Sequence, residues 1–204
     1  MDFGKLIKKE KDAIDLQHED YENEHKKDKS IESTIKEYAV SIVICVIMAL
    51  IIRNFIIARA DVDGQSMYPT LSNRDVVFVE KISTLWDKYS RGSIVIFQTH
   101  NARNDIYIKR VIAIAGDEIE VKGGKVYVNG EEAKEDYLPE GTFTEPERFL
   151  LENKKYKVPE GCIFVMGDNR SNSIDSRSFG PVKVEDVKGR AVMRFLPIKA
   201  MKIL

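Results

Sequence analysis

The stretch Ile106-Tyr107-Ile108-Lys109-Arg110-Val111-Ile112-Ala113 constrains the fold more than any other part of the chain. Its β-branched and aromatic residues are typical of a buried β-strand. Alternate residues of a strand share a face. The side chains on the face of Lys109 are those of Tyr107, Val111, Ala113 and Ala115. Burial on such an apolar face lowers the pKa of a lysine, and a neutral amine can act as a general base. The alternative is an edge lysine that reaches solvent and discourages aggregation.

Working outward from this strand, several short stretches have the same composition. They are Val76–Val79, Ser93–Phe97, Ile119–Val121, Val126–Val128, Ile163–Met166 and Ala191–Leu196. Gly123-Gly124 and Asn129-Gly130 are hairpin and turn signals. No helical period competes strongly in this region. The sequence therefore predicts a mainly β fold, an antiparallel and barrel-like sheet, with polar residues 131–160 as a long excursion from it.

The N-terminal quarter of the chain has a different composition. Residues 1–37 are rich in Lys, Glu and Asp and predict a charged tail. Residues 38–58 are mostly apolar and predict a single transmembrane helix, provided that Arg53 reaches the interface. A buried core helix is one alternative, and a signal peptide cleaved after Ala58-Arg59-Ala60 is another. The long acid-rich tail favours an uncleaved anchor. The lysines before the span predict a cytoplasmic N-terminus and an extracytoplasmic β domain at 59–204.

Charge and cysteine content exclude some classes of function. The chain has 32 Lys and Arg against 33 Asp and Glu, a net charge of −1, so nothing indicates a nucleic-acid partner. Cys45 and Cys162 lie far apart in the sequence and predict neither a disulfide nor a metal site. Leu85-Trp86 and Tyr89 stand among polar residues, where they either touch lipid headgroups or pack ordinarily.

A second stretch, Gly64-Gln65-Ser66-Met67-Tyr68-Pro69-Thr70-Leu71, places a hydroxyl in a segment bracketed by glycine and proline. Serine is a poor nucleophile until a base removes its proton, and Lys109 is the candidate base. Taken alone, Ser66 is also consistent with an ordinary turn residue. Taken together, the two residues predict a Ser-Lys hydrolase.

A third stretch, Gly167-Asp168-Asn169-Arg170-Ser171-Asn172-Ser173-Ile174-Asp175-Ser176-Arg177-Ser178-Phe179-Gly180, follows a predicted strand. It holds more hydrogen-bond donors and acceptors than a surface loop needs, and its bracketing glycines suggest tight turns. Asp175 and Arg177 can lock it through charge-assisted hydrogen bonds. We interpret it as support for a site, with a polar connector as the alternative.

In this order, after one apolar span, the three stretches resemble the bacterial type I signal peptidases, in the Gram-positive form. The matching motifs are S-M-x-P-T-L at Ser66–Leu71, K-R-V-I-A…G-D at Lys109–Asp117 and G-D-N-R-x-x-S-x-D-S-R-x-x-G at Gly167–Gly180. The resemblance covers about residues 38–197. It implies a membrane-anchored Ser-Lys endopeptidase that removes A-x-A-type signal peptides from exported proteins at the outer face of the bilayer. It also implies that no metal or organic cofactor is needed.

The resemblance assigns roles residue by residue. Ser66 would be the nucleophile, Lys109 the general base, and Ser173 the residue that hydrogen-bonds and orients the lysine amine. Asp175 and Arg177 would brace the third stretch. The residues that would shape it are Asp168 and Asn169.

Gly64 departs from the family pattern, because some members place there a serine that donates to the oxyanion. Backbone N–H groups, that of Ser66 first, must then stabilise the oxyanion. Two other functions remain open from the sequence. One is a soluble, self-cleaving repressor-type Ser-Lys protease, and the other is an inactive membrane-tethered β domain that binds secreted proteins.

Overall fold

The computed structural model describes residues 35–50, 56–86, 89–100 and 102–204. The chain divides into two units, 1–51 and 52–204. In the first unit, helix α1 covers 35–50, and its apolar side chains lie exposed. Within the described ranges, no helix combines the length and the apolar character required to cross a membrane. Of the predicted anchor at 38–58, residues 51–55 lie outside the described residues, as do residues 1–34 of the predicted tail.

The second unit is mainly β, and the described residues form twelve strands in two antiparallel sheets. The strands are β1 (Ile57–Asp61), β2 (Val76–Glu80), β3 (Ile94–Gln98), β4 (Ile106–Ile114), β5 (Glu118–Lys122), β6 (Lys125–Val128), β7 (Glu131–Glu132), β8 (Tyr156–Lys157), β9 (Cys162–Met166), β10 (Val182–Lys183), β11 (Val187–Leu196) and β12 (Lys202–Ile203). A short helix, α2, covers Ser176–Phe179, and 3₁₀ turns cover Ile82–Leu85, Val184–Asp186 and Ile198–Ala200. Every predicted strand is present, so the mainly β class is confirmed.

The larger sheet has the order β1-β2-β11-β3-β4-β9-β10, with β12 beside β11. The smaller sheet has the order β7-β6-β5-β8. Among the described residues, the larger sheet ends at two edge strands, β1 and β10. It is therefore an open sheet, whereas a closed barrel has no edge strands. The hairpin between β5 and β6 turns at Gly123-Gly124, as predicted.

Two sequence expectations about boundaries need correction. Strand β1 begins at Ile57 and therefore contains the last two residues of the predicted anchor. Its pairing with β2 was hidden in the sequence, because the apolar run continues into the strand without a break. The excursion at 131–160 is not separate from the sheets, since β7 and β8 are the edge strands of the smaller sheet.

A β-bulge interrupts strand β4 beside the candidate base. Val111 pairs with Val165 but Ala113 pairs with Phe164, so Ile112 is the extra residue. Tyr107, Val111 and Ile114 pack in one core cluster, whereas Ala113 packs in another. The prediction that Ala113 shares the face of Lys109 is therefore wrong, because a bulge shifts the alternation of side chains by one residue.

The aromatic residues after β2 divide between surface and core. Tyr89 is buried in the cluster around Phe97 and Val165, so ordinary packing is the alternative that the structure shows for this residue. Leu85 and Trp86 lie exposed, and their contact with lipid stays a prediction.

Candidate active site

Ser66 and Lys109 come from separate elements and meet in one hydrogen bond. Ser66 lies in the loop between β1 and β2, and Lys109 lies in β4. The lysine Nζ donates to Ser66 Oγ at 2.8 Å and to the carbonyl oxygen of Ile108 at 3.0 Å. Lys109 is 3% exposed, whereas Ser66 is half-buried. The structure thus brings together the two groups that the sequence singled out, with the amine buried and the hydroxyl accessible.

The surroundings of Lys109 favour the neutral amine. Burial lowers its pKa from the ordinary value of 10.5 to about 8, and the negative charges of Asp175 and Asp168 oppose that change in part. The ring of Tyr107 lies 5.1 Å from Nζ and forms part of the same wall. A lysine with this pKa is partly neutral near neutral pH, and its lone pair can then accept the proton of Ser66.

The loop that carries Ser66 is held by its own backbone and by buried side chains. Met67 and Leu71 are fully buried and pack with Val77 in one core cluster. The Leu71 N–H donates to the Met67 carbonyl at 2.9 Å. Gly64 has a φ of +98°, a conformation that favours glycine, and its N–H donates to Asn73 Oδ1 at 3.0 Å. The loop therefore fixes the backbone on both sides of the serine.

The third stretch lies directly against the loop of Ser66. The backbone N–H of Asn169 donates to the Ser66 carbonyl at 2.9 Å, and its side-chain Nδ2 donates to the Gln65 carbonyl at 3.1 Å. The prediction that this polar stretch surrounds the site agrees with these contacts.

Gly167 is needed for a close approach of two segments and not for a left-handed turn. A Cβ atom on Gly167 would lie 2.4 Å from the Ser66 carbonyl oxygen and 2.2 Å from Ser173 Oγ. At the other end of the stretch, Gly180 does have a positive φ, of +89°. The suggestion of tight turns thus holds for Gly180, while Gly167 lets the third stretch contact the backbone of the serine.

Ser173 does not make the predicted hydrogen bond to Lys109. Its Oγ is buried and has no hydrogen-bond partner among the described residues. The hydrogen bonds of the lysine amine go to Ser66 Oγ and to the Ile108 carbonyl instead. The second hydrogen-bond acceptor of the amine is therefore a backbone group of the same strand, the Ile108 carbonyl.

Asp175 and Arg177 form the predicted brace, and both are fully buried. Arg177 Nε and Nη2 donate to the two carboxylate oxygens of Asp175 at 2.9 and 2.8 Å. Asp175 also accepts from the Gly167 N–H at 3.0 Å and caps helix α2 through the Arg177 N–H. Arg177 donates to the Arg170 carbonyl at 3.0 Å. One ion pair thus ties the two ends of the stretch together.

Asp168 and Arg110 form a second buried ion pair. Arg110 Nε and Nη2 donate to the two oxygens of Asp168 at 2.8 and 2.7 Å. The guanidinium also donates to the Gly92 carbonyl at 2.7 Å and lies 3.9 Å from the ring centroid of Tyr137. These contacts give Arg110 a structural role, and they hold the start of the third stretch against β4.

Residues 35–196 match the model of the family described as signal peptidase, peptidase S26. The chain belongs to this family. It is 39% identical over 178 residues to signal peptidase I S of Bacillus subtilis (strain 168). The aligned region covers 85% of this chain and 95% of the relative. It is 32% identical over 183 residues to signal peptidase IB of Staphylococcus aureus (strain COL), and this aligned region covers 84% of the chain and 95% of the relative.

A crystal structure of a signal peptidase I from Enterococcus faecalis V583 is 31% identical to the chain, with a TM-score of 0.41. The superposed region covers 50% of this chain and 96% of the chain in the crystal structure. The family match and the curated relatives confirm the resemblance inferred from the three motifs, and the chain is a signal peptidase and not a repressor-type protease.

A cleft of about 650 Å³ runs past the Ser-Lys pair of this signal peptidase. Its walls are formed by Arg59–Ser66, Val77, Ile106–Lys109, Asn172 and Ile174. Residues 106–109 of β4 pair with β3 on one side, and the pairing with β9 begins only at Arg110. As far as the structure describes the chain, this part of β4 has no strand on its other side, and its backbone edge there is open. Among the described residues, no group of three or more His, Cys, Asp or Glu side chains could hold a metal ion.

Sequence reasoning missed a group of contacts that joins the third stretch to the polar excursion at 131–160. The buried Arg170 side chain donates to Glu135, to Thr144 Oγ1 at 2.6 Å and to the Gly167 carbonyl at 3.1 Å. Glu135 and Thr144 come from the polar excursion. Its composition gave no signal for this contact, although Arg170 itself lies in the third motif.

Proposed function

We propose that this signal peptidase is a membrane-anchored Ser-Lys endopeptidase that cleaves signal peptides ending in A-x-A from exported proteins. The observation that carries the proposal is the 2.8 Å contact between a buried amine, Lys109 Nζ, and an accessible hydroxyl, Ser66 Oγ. A binding domain without activity would have no need for a lysine whose pKa is lowered to about 8 beside a serine.

In the proposed mechanism, the neutral amine of Lys109 accepts the proton of Ser66 while Oγ attacks the scissile carbonyl carbon. A tetrahedral intermediate forms and collapses as the peptide C–N bond breaks, and the lysine passes its proton to the leaving amine. The signal peptide is then an ester on Ser66. Water attacks this ester as Lys109 takes a proton from the water. The ester C–O bond then breaks, Lys109 passes the proton to Ser66 Oγ, and the signal peptide leaves with a free C-terminal carboxyl group.

The oxyanion of the intermediate requires a donor, and the backbone of Ser66 supplies it. Gly64 has no side chain, and its N–H already donates to Asn73. The structure gives the Ser66 N–H no acceptor within the described residues. We assign this N–H as the oxyanion donor, since backbone donors near a nucleophile stabilise the developing charge.

The substrate is proposed to bind as an added strand in the cleft between β1 and the open edge of β4. Apolar side chains of Val62, Val77 and Ile108 form part of the wall, and Ala60 contributes a small side chain. Shallow apolar walls suit alanine at the positions that an A-x-A substrate presents. Backbone pairing would give affinity, and the limited room for side chains would give specificity.

The anchor is proposed to lie within residues 38–56, before strand β1, with the N-terminus cytoplasmic and the β domain outside the cell. The apolar composition of this span supports the proposal, and an anchor would confine enzyme and precursor to one bilayer surface. Ala58-Arg59-Ala60 lies within β1, which is paired to β2, and this supports an uncleaved span. Protease added to spheroplasts should digest the domain and spare the tail, while a mature chain beginning at Asp61 would contradict the anchor.

The activity is tested with the full chain in detergent and a precursor that carries an A-x-A site, with product termini identified by mass spectrometry. Ser66→Ala and Lys109→Ala should abolish cleavage, and Lys109→Arg should fail because a guanidinium stays protonated. Lys125→Ala, an exposed lysine in β6, is the matched control and should cleave normally.

Each outcome of this assay has a separate meaning. Turnover by Lys109→Arg would contradict the role of general base, and turnover by Ser66→Ala would contradict the role of nucleophile. A wild-type chain that binds the precursor and never cleaves it would instead support the membrane-tethered binding domain.

A further inference from the structure

The peptide unit between Gln65 and Ser66 carries the N–H that we assign as the oxyanion donor. In a planar trans peptide the C=O and the N–H point in opposite directions. A group that holds the Gln65 carbonyl therefore also fixes the direction of the Ser66 N–H. Because this N–H is the donor that we assign to the oxyanion, its direction affects how well it stabilises the developing charge.

Asn169 holds this peptide unit from the third stretch. Its Nδ2 donates to the Gln65 carbonyl at 3.1 Å, and its backbone N–H donates to the Ser66 carbonyl at 2.9 Å. The carbonyls on both sides of the Ser66 N–H are thus bound by one residue. A donor at the Gln65 carbonyl also polarises the amide, which strengthens the N–H as a donor at its other end.

We propose that the side-chain amide of Asn169 is a positioning group for the reaction and orients the Gln65–Ser66 peptide so that the Ser66 N–H faces the oxyanion. This inference rests on the proposed function. The orientation of the Ser66 N–H matters more in this chain than in family members with a serine at the position of Gly64, whose hydroxyl also donates to the oxyanion. Here Gly64 has no side chain, and its N–H is bound to Asn73. Among the described residues, Asn169 makes no hydrogen bond to Lys109 or to Ser66 Oγ.

The size of the effect is limited by a second donor. The Tyr68 N–H also donates to the Gln65 carbonyl, at 3.1 Å, so the peptide keeps one support when Asn169 is truncated. Complete removal of an oxyanion donor lowers kcat by about 100- to 1,000-fold. Truncation of Asn169 should therefore lower kcat by less, about 10- to 100-fold.

The test uses the full chain in detergent and a peptide substrate with an A-x-A site. Asn169→Ala removes the side-chain donor and keeps the backbone N–H that binds the Ser66 carbonyl. We expect kcat to fall about 10- to 100-fold while KM changes less than about twofold. The pH midpoint of the rate should stay unchanged, because the amine of Lys109 keeps its contacts. Asn169→Gln, which retains an amide donor on a longer side chain, should recover part of the rate.

A second measurement separates a positioning role from a structural one. A peptide aldehyde forms a tetrahedral adduct with Ser66 and places an oxygen where the oxyanion would lie. Its affinity should fall in Asn169→Ala by the same factor as kcat. Ser171→Ala is the matched control, since it removes an exposed hydroxyl that contacts Asn169 Oδ1 at 3.3 Å and leaves the Nδ2 donor in place. Its kcat should stay within about twofold of the wild type.

The possible results separate the two proposals. If the wild type does not cleave the peptide, the proposed function fails, and this inference fails with it. If the wild type cleaves and Asn169→Ala keeps its kcat, only this inference is overturned. A rise in KM that accounts for the whole loss, a displaced pH midpoint, or an unchanged affinity for the aldehyde would also overturn it.

Discussion

Replacement of Lys109 by methionine is expected to abolish cleavage and, at neutral pH, to raise the free energy of unfolding. Lys109 is 3% exposed, and burial disfavours the protonated form of its amine in the folded chain. Methionine has a similar length and no charge, so it fills the same apolar space. Lys109, which the proposed chemistry requires, therefore lowers the free energy of unfolding relative to an apolar residue at the same position.

The magnitude follows from the pKa of Lys109. A drop from 10.5 to about 8 corresponds to about 3 kcal/mol of destabilisation below pH 8. Between pH 8 and 10.5 the unfolded chain binds the proton and the folded chain does not, so the wild type becomes more stable as pH rises through this window. Loss of the hydrogen bonds to Ser66 and Ile108 would offset about 1 kcal/mol each. Lys109→Met should therefore gain about 1–2 kcal/mol near pH 7 and lose this advantage by about pH 10.5.

The assay is urea unfolding of the wild type and Lys109→Met at several pH values between about 7 and 10.5, with Ser66→Ala as the inactive control that keeps the lysine. The difference in free energy of unfolding between wild type and Lys109→Met should change with pH, and Ser66→Ala should follow the wild type in its pH dependence. A difference that stays constant over this range would refute the argument, because the lysine would then have the same pKa in the folded and unfolded chains.

Further outcomes follow from the same contacts. The wild-type kcat/KM should rise about tenfold between pH 7 and 9 and then level off, because the neutral fraction of a base with a pKa of about 8 rises by that factor; a flat profile would contradict this. Gly167→Ala should lower kcat/KM by about 100-fold or more, because its Cβ would collide with the Ser66 carbonyl, and a fully active variant would contradict that contact. Ser173→Ala should unfold at the same or a higher temperature, since the lost hydroxyl is buried and has no partner among the described residues; a lower Tm would reveal a bond that the structure lacks. Asp175→Ala should lose about 3–5 kcal/mol of stability in urea unfolding, because it leaves Arg177 buried and unpaired, and a loss under about 1 kcal/mol would contradict the brace.

The strands could be predicted because their signal is local. The β-branched composition of Ile106–Ile114 and the glycines between β5 and β6 specify an extended segment and a hairpin without knowledge of their partners. The bulge at Ile112 depends on how β4 pairs with β9, which lies more than forty residues away, so no local pattern could reveal it. Strand β1 was missed for a related reason, since an edge strand that continues an apolar run has no boundary of its own in the sequence.

The site divides in the same way. Motifs predicted the proximity of Ser66 and Lys109 and the ion pair between Asp175 and Arg177, and the structure contains both. It does not contain the expected bond from Ser173, because Lys109 Nζ donates instead to the backbone carbonyl of Ile108, and every residue in a sequence has such a carbonyl. The roles of these residues in catalysis stay predictions until the variants are measured.

The charges near Lys109 show how the pKa of a buried base stays low beside two carboxylates. Asp168 and Asp175 both favour the protonated amine, and two unpaired carboxylates in that position would hold its pKa high. Each is instead bound by both arms of an arginine, Arg110 or Arg177, so each buried pair carries no net charge. Burial therefore remains the largest influence on the lysine. The same two ion pairs fix the ends of the third stretch, so the contacts that place the loop against Ser66 also keep Lys109 able to accept a proton.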